Sequence, residues 1–457
     1  MPAAVRTPIY APLGLRDSTI DKDSRLYNGF AEKWQEEGEI YVYKRPGMSF
    51  NSQPSGGAAT GRGVFNWKGN IYAVFNGTLY KDGANVGAVS NVGLYTFSSC
   101  LGATPRLFFH NTINAYTYDS GAGVVAVTDV DYPATTVPGS AYLDGTTYVM
   151  TPSASIRGDD FNNPQSWDPL NTLLAQIEPD DGVYLAKHLV YTIAFKQIST
   201  EVFYDAGNAV GSPLGPVQGS KIGVGVRTAG SVCKLGDNLA WIGTTTEADV
   251  QVMFMSKVKA DVISTPPVER LLKPLNYTTV WSWSAKANGH RFYVVTFPSS
   301  NLTLAFDVTS LSWYIWTDVV GNYMPIIAAT YDTNDTPILQ HATNGKLYNF
   351  SATEFGDEGQ PFPWRCFTPR MDGGLRAQKA NTKIELVADR TATNVRVSWS
   401  DDDYQTFNAG QDISLDQDRV WLQDGSAFST RAYQLFHSDL TFLRIKGMDL
   451  TTTPGTL

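Results

Sequence analysis

Along most of the chain apolar and polar residues alternate with a period of two, the pattern of β-strands. The stretch "NIYAVFNGTLYKDG" (70–83) alternates, turns at Asn76-Gly77 and alternates again; Asn-Gly is the strongest short hairpin signal. "RLFFHNTINAYTYDSG" (106–121), "AYLDGTTYVM" (141–150), "LVYTIAFKQISTEVFYDAG" (189–207), "LAWIGTTTEADVQVMFM" (239–255), "HRFYVVTFPSSNLTLAFDVTSLSWYIW" (290–316) and "PILQHATNGKLYNF" (337–350) repeat the plan of strand, polar turn and strand ending in an aromatic. The closing aromatics include Tyr80, Tyr118, Tyr204, Phe254, Phe306 and Tyr348. Tyr80 to Tyr118 and Phe306 to Tyr348 each span about 40 residues, the length of one four-stranded propeller blade. The larger interval from Tyr118 to Tyr204 leaves room for one more blade around "AYLDGTTYVM". A pair of β-sandwiches is the competing reading. One short helix is expected in "STPPVERLLKPL" (264–275), with Ser264 or Thr265 as N-cap and two prolines in its first turn.

The texture changes twice. Pro361, Pro363, Pro369 and Gly373-Gly374 mark a boundary, beyond which short strands such as "NVRVSWSDDDYQTF" suggest a small β domain. The first 50 residues read as extended. The expected fold is therefore mainly β: a propeller of six or seven blades over 51–365, a C-terminal β platform domain over 366–457, and an N-terminal arm over 1–50 that packs with the platform.

Composition narrows the function classes. The 457 residues carry a net charge of −9 and no long basic run, which disfavours gripping nucleic acid, because that grip comes from neutralising phosphates. Cys100, Cys233 and Cys366 are far apart and odd in number, neither a disulfide framework nor a zinc motif. No apolar leader or membrane-length run stands out, and cytosolic assembly is the simplest reading.

Candidate chemistry is sparse. The five histidines, His110, His188, His290, His341 and His437, form no local metal pair. "GVGV" (223–226) lacks both the remaining glycine and the helix of a dinucleotide fingerprint. Paired carboxylates are the serious enzymatic option, because two suffice for glycoside hydrolysis; "RGDDF" (157–161), "EPDDG" (178–182) and "SDDDY" (400–404) are the candidates. All sit where turns are expected, and Asp closes turns through its own backbone. "SDDDYQTF" (400–407) resembles the Asp-box, S-x-D-x-G-x-T-W/F, of sialidases and other β proteins, with Tyr404 in place of glycine. The resemblance implies a structural turn built from Ser400, Asp402, Thr406 and Phe407, with Trp399 or Phe407 anchored in the core and Asp401 and Asp403 facing solvent. The box occurs once, and the arginine triad and Tyr/Glu pair of a sialidase are not evident. No catalytic, metal-ligating or cofactor-binding residue is assigned, and no cofactor is expected.

Several segments together resemble one family, the tail nozzle or packaged-DNA stabilisation proteins of short-tailed bacteriophages. "RLYNGFAEKW…IYVYKRPGM" (25–48) is similar to its opening, an R-L-x-N stretch leading to a strand that ends in P-G. "SWDPL" (166–170), "STEVFYDAGN" (199–208), "KIGVGVRTAGSVCKLGDNLAWIG" (221–243), "VISTPPVERLL" (262–272) and "GHRFYVVTFPSSNLTLAFDVTSLSW" (289–313) follow in the family's order, and "STRAYQLFHSDLTFLRIKGMDL" (429–450) looks like its closing strand pair. The resemblance implies a homo-hexameric ring in the virion tail, assembled in the host cytoplasm, that continues the DNA channel below the portal-adaptor ring, meets tail fibres or spikes and a tail-tip or plug protein, and lets double-stranded DNA pass without sequence-specific binding. Acidic walls would repel phosphate and let the duplex slide; "EKWQEEGE" (32–39) and "EPDDG" are candidate exposed acidic loops. The alternative is a glycan-active propeller, a sialidase or capsule depolymerase using Asp159 or Asp402, or a carbohydrate-binding tail module.

Overall fold

The computed structural model describes residues 4–17, 19–34, 39–208, 210–247, 249–372, 377–417, 420–424 and 426–454. Six antiparallel blades follow one another along the chain: blade I (61–88), II (96–126), III (141–174), IV (182–216), V (225–262) and VI (281–315). Blade VII takes three strands from 326–351 and its outermost strand, Gly47–Ser52, from near the N-terminus, with Phe350 opposite Met48. Neighbouring blades touch all the way round, and blade VII meets blade I. The ring is thus a β-propeller of six continuous blades and a seventh closed by a distant strand.

The period-two pattern places one hydrophobic cluster at each blade interface, because alternate residues of a strand point to opposite faces. In Tyr191–Lys196, Ile193 and Phe195 pack toward blade V while Ala194 packs toward blade III. In His290–Phe297, Tyr293, Val295 and Phe297 face blade V, and Phe292 and Val294 face blade VII. A strand covered on both faces reads as an almost unbroken apolar run, which is why "RFYVVTF" shows so little alternation. The aromatics Tyr80, Tyr118, Tyr204, Phe254, Phe306 and Tyr348 all lie on the third strand of their blades. Blade III occupies the long interval between Tyr118 and Tyr204, and its third strand, Ser155–Asp160, carries Asp159 and no aromatic. The first strand of blade V is split into Gly225–Val226 and Cys233–Leu235, both paired with Asn238–Thr244.

The helix forms at Pro266–Leu272, between blades V and VI, with Thr265 as N-cap. Val268 and Leu272 are buried in the cluster between those blades. Ser264 does not cap the helix; its hydroxyl accepts from Val252 N and donates to Glu269.

Two sheets pack beside the propeller. One runs in the order Gly29–Lys33, Ile40–Lys44, Arg444–Pro454, Lys379–Ala388, Val420–Leu422, with Ala4–Thr7 also on Arg444–Pro454. The other is an extension of blade VI. Arg25–Tyr27 pairs in parallel with Ser312–Ile315 and antiparallel with Trp364–Phe367, and the sheet continues through Ala432–His437, Asn394–Ser400 and Gln411–Ser414. Nine strands form this one sheet. The two sheets and blades VI and VII bury one shared core that includes Trp283, Trp316, Trp364, Ile384, Leu435 and Ile445. Residues 4–44 therefore contribute strands to both sheets, and 47–52 belong to the propeller. Gly373-Gly374, expected at a boundary, fall outside the described residues.

Candidate functional site, the joint between propeller and platform

The segment "RLYN…KRPG" builds a buried polar joint where propeller and platform meet. Asn28 is fully buried with φ +52, a left-handed conformation that Asn tolerates better than most residues. Its Nδ2 donates to Thr317 Oγ1 (2.6 Å) and the Pro363 carbonyl (2.8 Å). Its Oδ1 accepts from Thr317 N (2.7 Å) and Arg45 Nε (3.0 Å). Both amide hydrogens and both lone-pair directions are therefore used. Arg45, also fully buried, holds Asp357 with two bonds, Nη1–Oδ1 at 3.1 Å and Nη2–Oδ2 at 2.5 Å, and donates to the carbonyls of Pro46 and Thr317. Its guanidinium lies 3.7 Å from the centre of the Phe362 ring, an arrangement suited to a planar cation. Three parts of the chain converge here: the arm, the loop after blade VI and the loop after blade VII. Next to it, Lys44 is buried with its ammonium on the Asp439 carbonyl, and burial pulls its pKa down to about 7. The R-L-x-N and P-G pattern carries no sign of this ion pair beyond the basic residue before Pro46-Gly47, because Asp357 lies 312 residues from Arg45.

The Asp-box-like turn lies in the platform. Asp402 Oδ1 accepts from Ser400 Oγ (2.8 Å) and Thr406 N (2.9 Å), and Oδ2 from Thr406 Oγ1 (2.5 Å). These bonds, those of Thr406 foremost, hold the Asp402 carboxyl down at about 2. Ser400 Oγ accepts in turn from Tyr404 N. Tyr404 takes φ +66 where glycine would be favoured, and the strain is offset by burial of its ring and a 2.6 Å bond from its hydroxyl to the Thr368 carbonyl. Phe407 packs edge-on to Phe367, and Trp399 lies in the main core.

The flanking carboxylates differ from expectation. Asp401 and Asp403 do not simply face solvent. Asp401 grips Arg431 with two bonds of 2.7 and 2.8 Å, and Asp403 pairs with Arg16 (2.8 Å) and Arg370 (3.3 Å). Arg431 is fully buried and also holds Asp424. Arg16 lies 387 residues from Asp403, and Arg431 and Arg370 come from other segments of the platform, so the pattern around the turn does not reveal them.

The other acidic stretches are also committed to structure. In "EPDDG", Asp180 is not a free acidic loop residue: it pairs with buried Lys196 (2.9 Å) and accepts from the amides of Ile198 and Ser199. Lys196 also holds Glu201 at 2.6 Å, and Glu178 pairs with Lys221. Asp181 alone of the three acids is exposed. In "EKWQEEGE", residues 35–38 lie outside the described residues, and Glu39 pairs with Lys446 and Arg6. Asp159 is buried inside blade III; Oδ1 accepts from Thr147 N (2.5 Å), and burial pushes its carboxyl up to about 8. Asp159 and Asp402 belong to different sheets, so the structure does not bring them together as a pair.

The histidines are dispersed. His110 is buried among Thr96, Thr136 and two carbonyls, His290 bonds Asp307 at 2.7 Å, and His341 accepts from the amides of Thr343 and Asn344 in a turn. Burial pulls His110, His341 and His437 down to about 4. Among the described residues no group of three or more His, Cys, Asp or Glu is placed to hold a metal ion. Nor, among the described residues, is any helix long and apolar enough to cross a membrane.

The family of phage stabilisation proteins described as bacteriophage P22 Gp10, β-propeller, matches residues 30–329, from the arm through the start of blade VII. The chain belongs to this family. Among curated proteins, none matches it in sequence. Solved structures with some likeness include a catalytically inactive virginiamycin B lyase from Staphylococcus aureus with quinupristin, at 8% identity and TM-score 0.43, covering 67% of this chain and 99% of that one. YCF48 bound to D1 peptide reaches 14% identity and TM-score 0.41, covering 68% and 98%. Neither likeness carries an argument about function.

Three outcomes test the joint, the turn and the buried acid of this phage stabilisation protein. Arg45→Met leaves Asp357 buried without its cation and should cost about 3–5 kcal/mol; Arg45→Met combined with Asp357→Asn should recover part of it, read by denaturant unfolding. Asp402→Ala removes three bonds from one turn and should lower Tm by a few degrees. The Asp159 carboxyl is held protonated to about 8 in the fold but ionises near 4 when unfolded. The unfolded state therefore gains as pH rises between those values. The Tm of wild type should fall relative to Asp159→Asn from about pH 4 to pH 8 and then run parallel to it; a constant difference would refute the assignment.

Proposed function

We propose that this phage tail protein is a nozzle subunit: a ring of identical chains, six by the resemblance, that continues the DNA channel below the portal-adaptor, helps retain packaged DNA and conducts it during ejection. Membership of the phage stabilisation family carries this reading. The net charge of −9 fits a wall along which phosphates slide. The nine-stranded sheet shared by propeller and platform fits a part that transmits load between an adaptor above and fibres, spikes or a tip protein below. The role is structural, in the virion tail, with assembly in the host cytoplasm.

Hydrolysis of glycans is the weaker reading. Asp402 is saturated by Ser400 and Thr406, and Asp159 is buried within a blade. Purified protein mixed with its cognate adaptor rings should add a ring beneath them in electron micrographs. A chain that stays monomeric with adaptor present, or that cleaves host polysaccharide, would sink the proposal.

A further inference from the structure

The axis of the propeller is an open funnel of about 630 Å3, lined by Phe97, Tyr142, Tyr184 and Tyr331 from the blades around it. Lys187 and Lys234, from the first strands of blades IV and V, also line it. Both are exposed, and neither ammonium has a carboxylate ion pair among the described residues. The Lys187 ammonium lies 5.9 Å from the centre of the Tyr142 ring. Partial desolvation by the funnel wall, and then the charge of Lys234, lower its pKa, while Asp144 acts in the opposite sense. Two like charges at one mouth therefore carry a cost that an anionic partner would relieve.

The same mouth carries apolar side chains that the fold does not cover. Leu101, at 61% exposure, lines the funnel beside the lysines. Tyr142 bonds Asn162, and the preceding Phe161 lies over Gly145 while remaining 75% exposed. Val190, 64% exposed, sits in the adjoining hollow with Leu143 and Asp144, next to exposed Leu189. The turns of blades II, III and IV thus expose apolar side chains at the same end of the propeller as the lysine pair. Large exposed apolar side chains gathered at one end of a fold are the material of an interaction surface.

We infer that this mouth of the propeller docks an extended acidic segment of a partner protein, its carboxylates meeting Lys187 and Lys234 and its apolar side chains covering Leu101, Phe161 and Val190. A polysaccharide would leave these apolar side chains uncovered, and duplex DNA needs a broader basic surface than two lysines on an acidic protein. The inference does not depend on the nozzle reading, and its failure would leave that reading untouched.

The probe is a short dye-labelled peptide of Glu, Leu and Phe, with its Lys-for-Glu counterpart as control, read by fluorescence anisotropy on the full chain. The acidic peptide should bind, weaken with added salt, and lose at least about tenfold in affinity on Lys187→Glu with Lys234→Glu. Phe161→Asp, on an exposed turn, should weaken it independently, with unchanged circular dichroism for both variants. Absence of binding, equal binding of the basic peptide, or unchanged affinity in the charge-reversed variant would overturn the proposal. So would alginate or duplex DNA binding as tightly and being lost in the same variant.

Discussion

The buried contact among Asn28, Arg45 and Asp357 is the constraint on which the architecture turns. It fixes where the arm passes between propeller and platform, and both flanking segments follow from it. Upstream, Arg25–Tyr27 is set between Ser312–Ile315 and Trp364–Phe367. Downstream, Gly47–Ser52 is delivered to the open edge of blade VII. A buried ion pair is a poor source of net stability, since removing both charges from water costs about as much as their attraction returns. Its value here is geometric: a planar guanidinium with defined partners accepts one path for the chain.

The closure also completes the ring. A propeller leaves each blade a short outer edge, and Gly47–Ser52 supplies the outermost strand that brings blade VII to the four strands of the blades before it. Drawing that strand from the opposite end of the chain links the first and last parts of the ring. The sheet that grows out of blade VI does the same for the platform. Together they make propeller and platform one hydrogen-bonded body.

Much of the architecture was legible in one dimension. Hairpins such as that at Asn76-Gly77 and the third-strand aromatics depend on period-two alternation and turn chemistry within about forty residues, and the blades follow from them. The Asp402 turn was legible for the same reason, since Ser400 and Thr406 are its near neighbours. The partners of Asp401, Asp403 and Asp180 were not. Arg16 reaches Asp403 across the fold, Arg431 reaches Asp401 from beside a paired strand and Lys196 reaches Asp180 from within blade IV, and acidic residues in a turn look alike whether solvated or paired.

Local order along the chain determined that this protein is a ring of antiparallel blades followed by a second β unit, because strand periodicity and turn residues act over short range. Tertiary structure alone decided which strand closes blade VII, which acids are neutralised, and where propeller and platform join. Those outcomes depend on backbone edges and buried charges that find their partners only when segments hundreds of residues apart are packed together, and the joint at Asn28, Arg45 and Asp357 is where that packing is enforced.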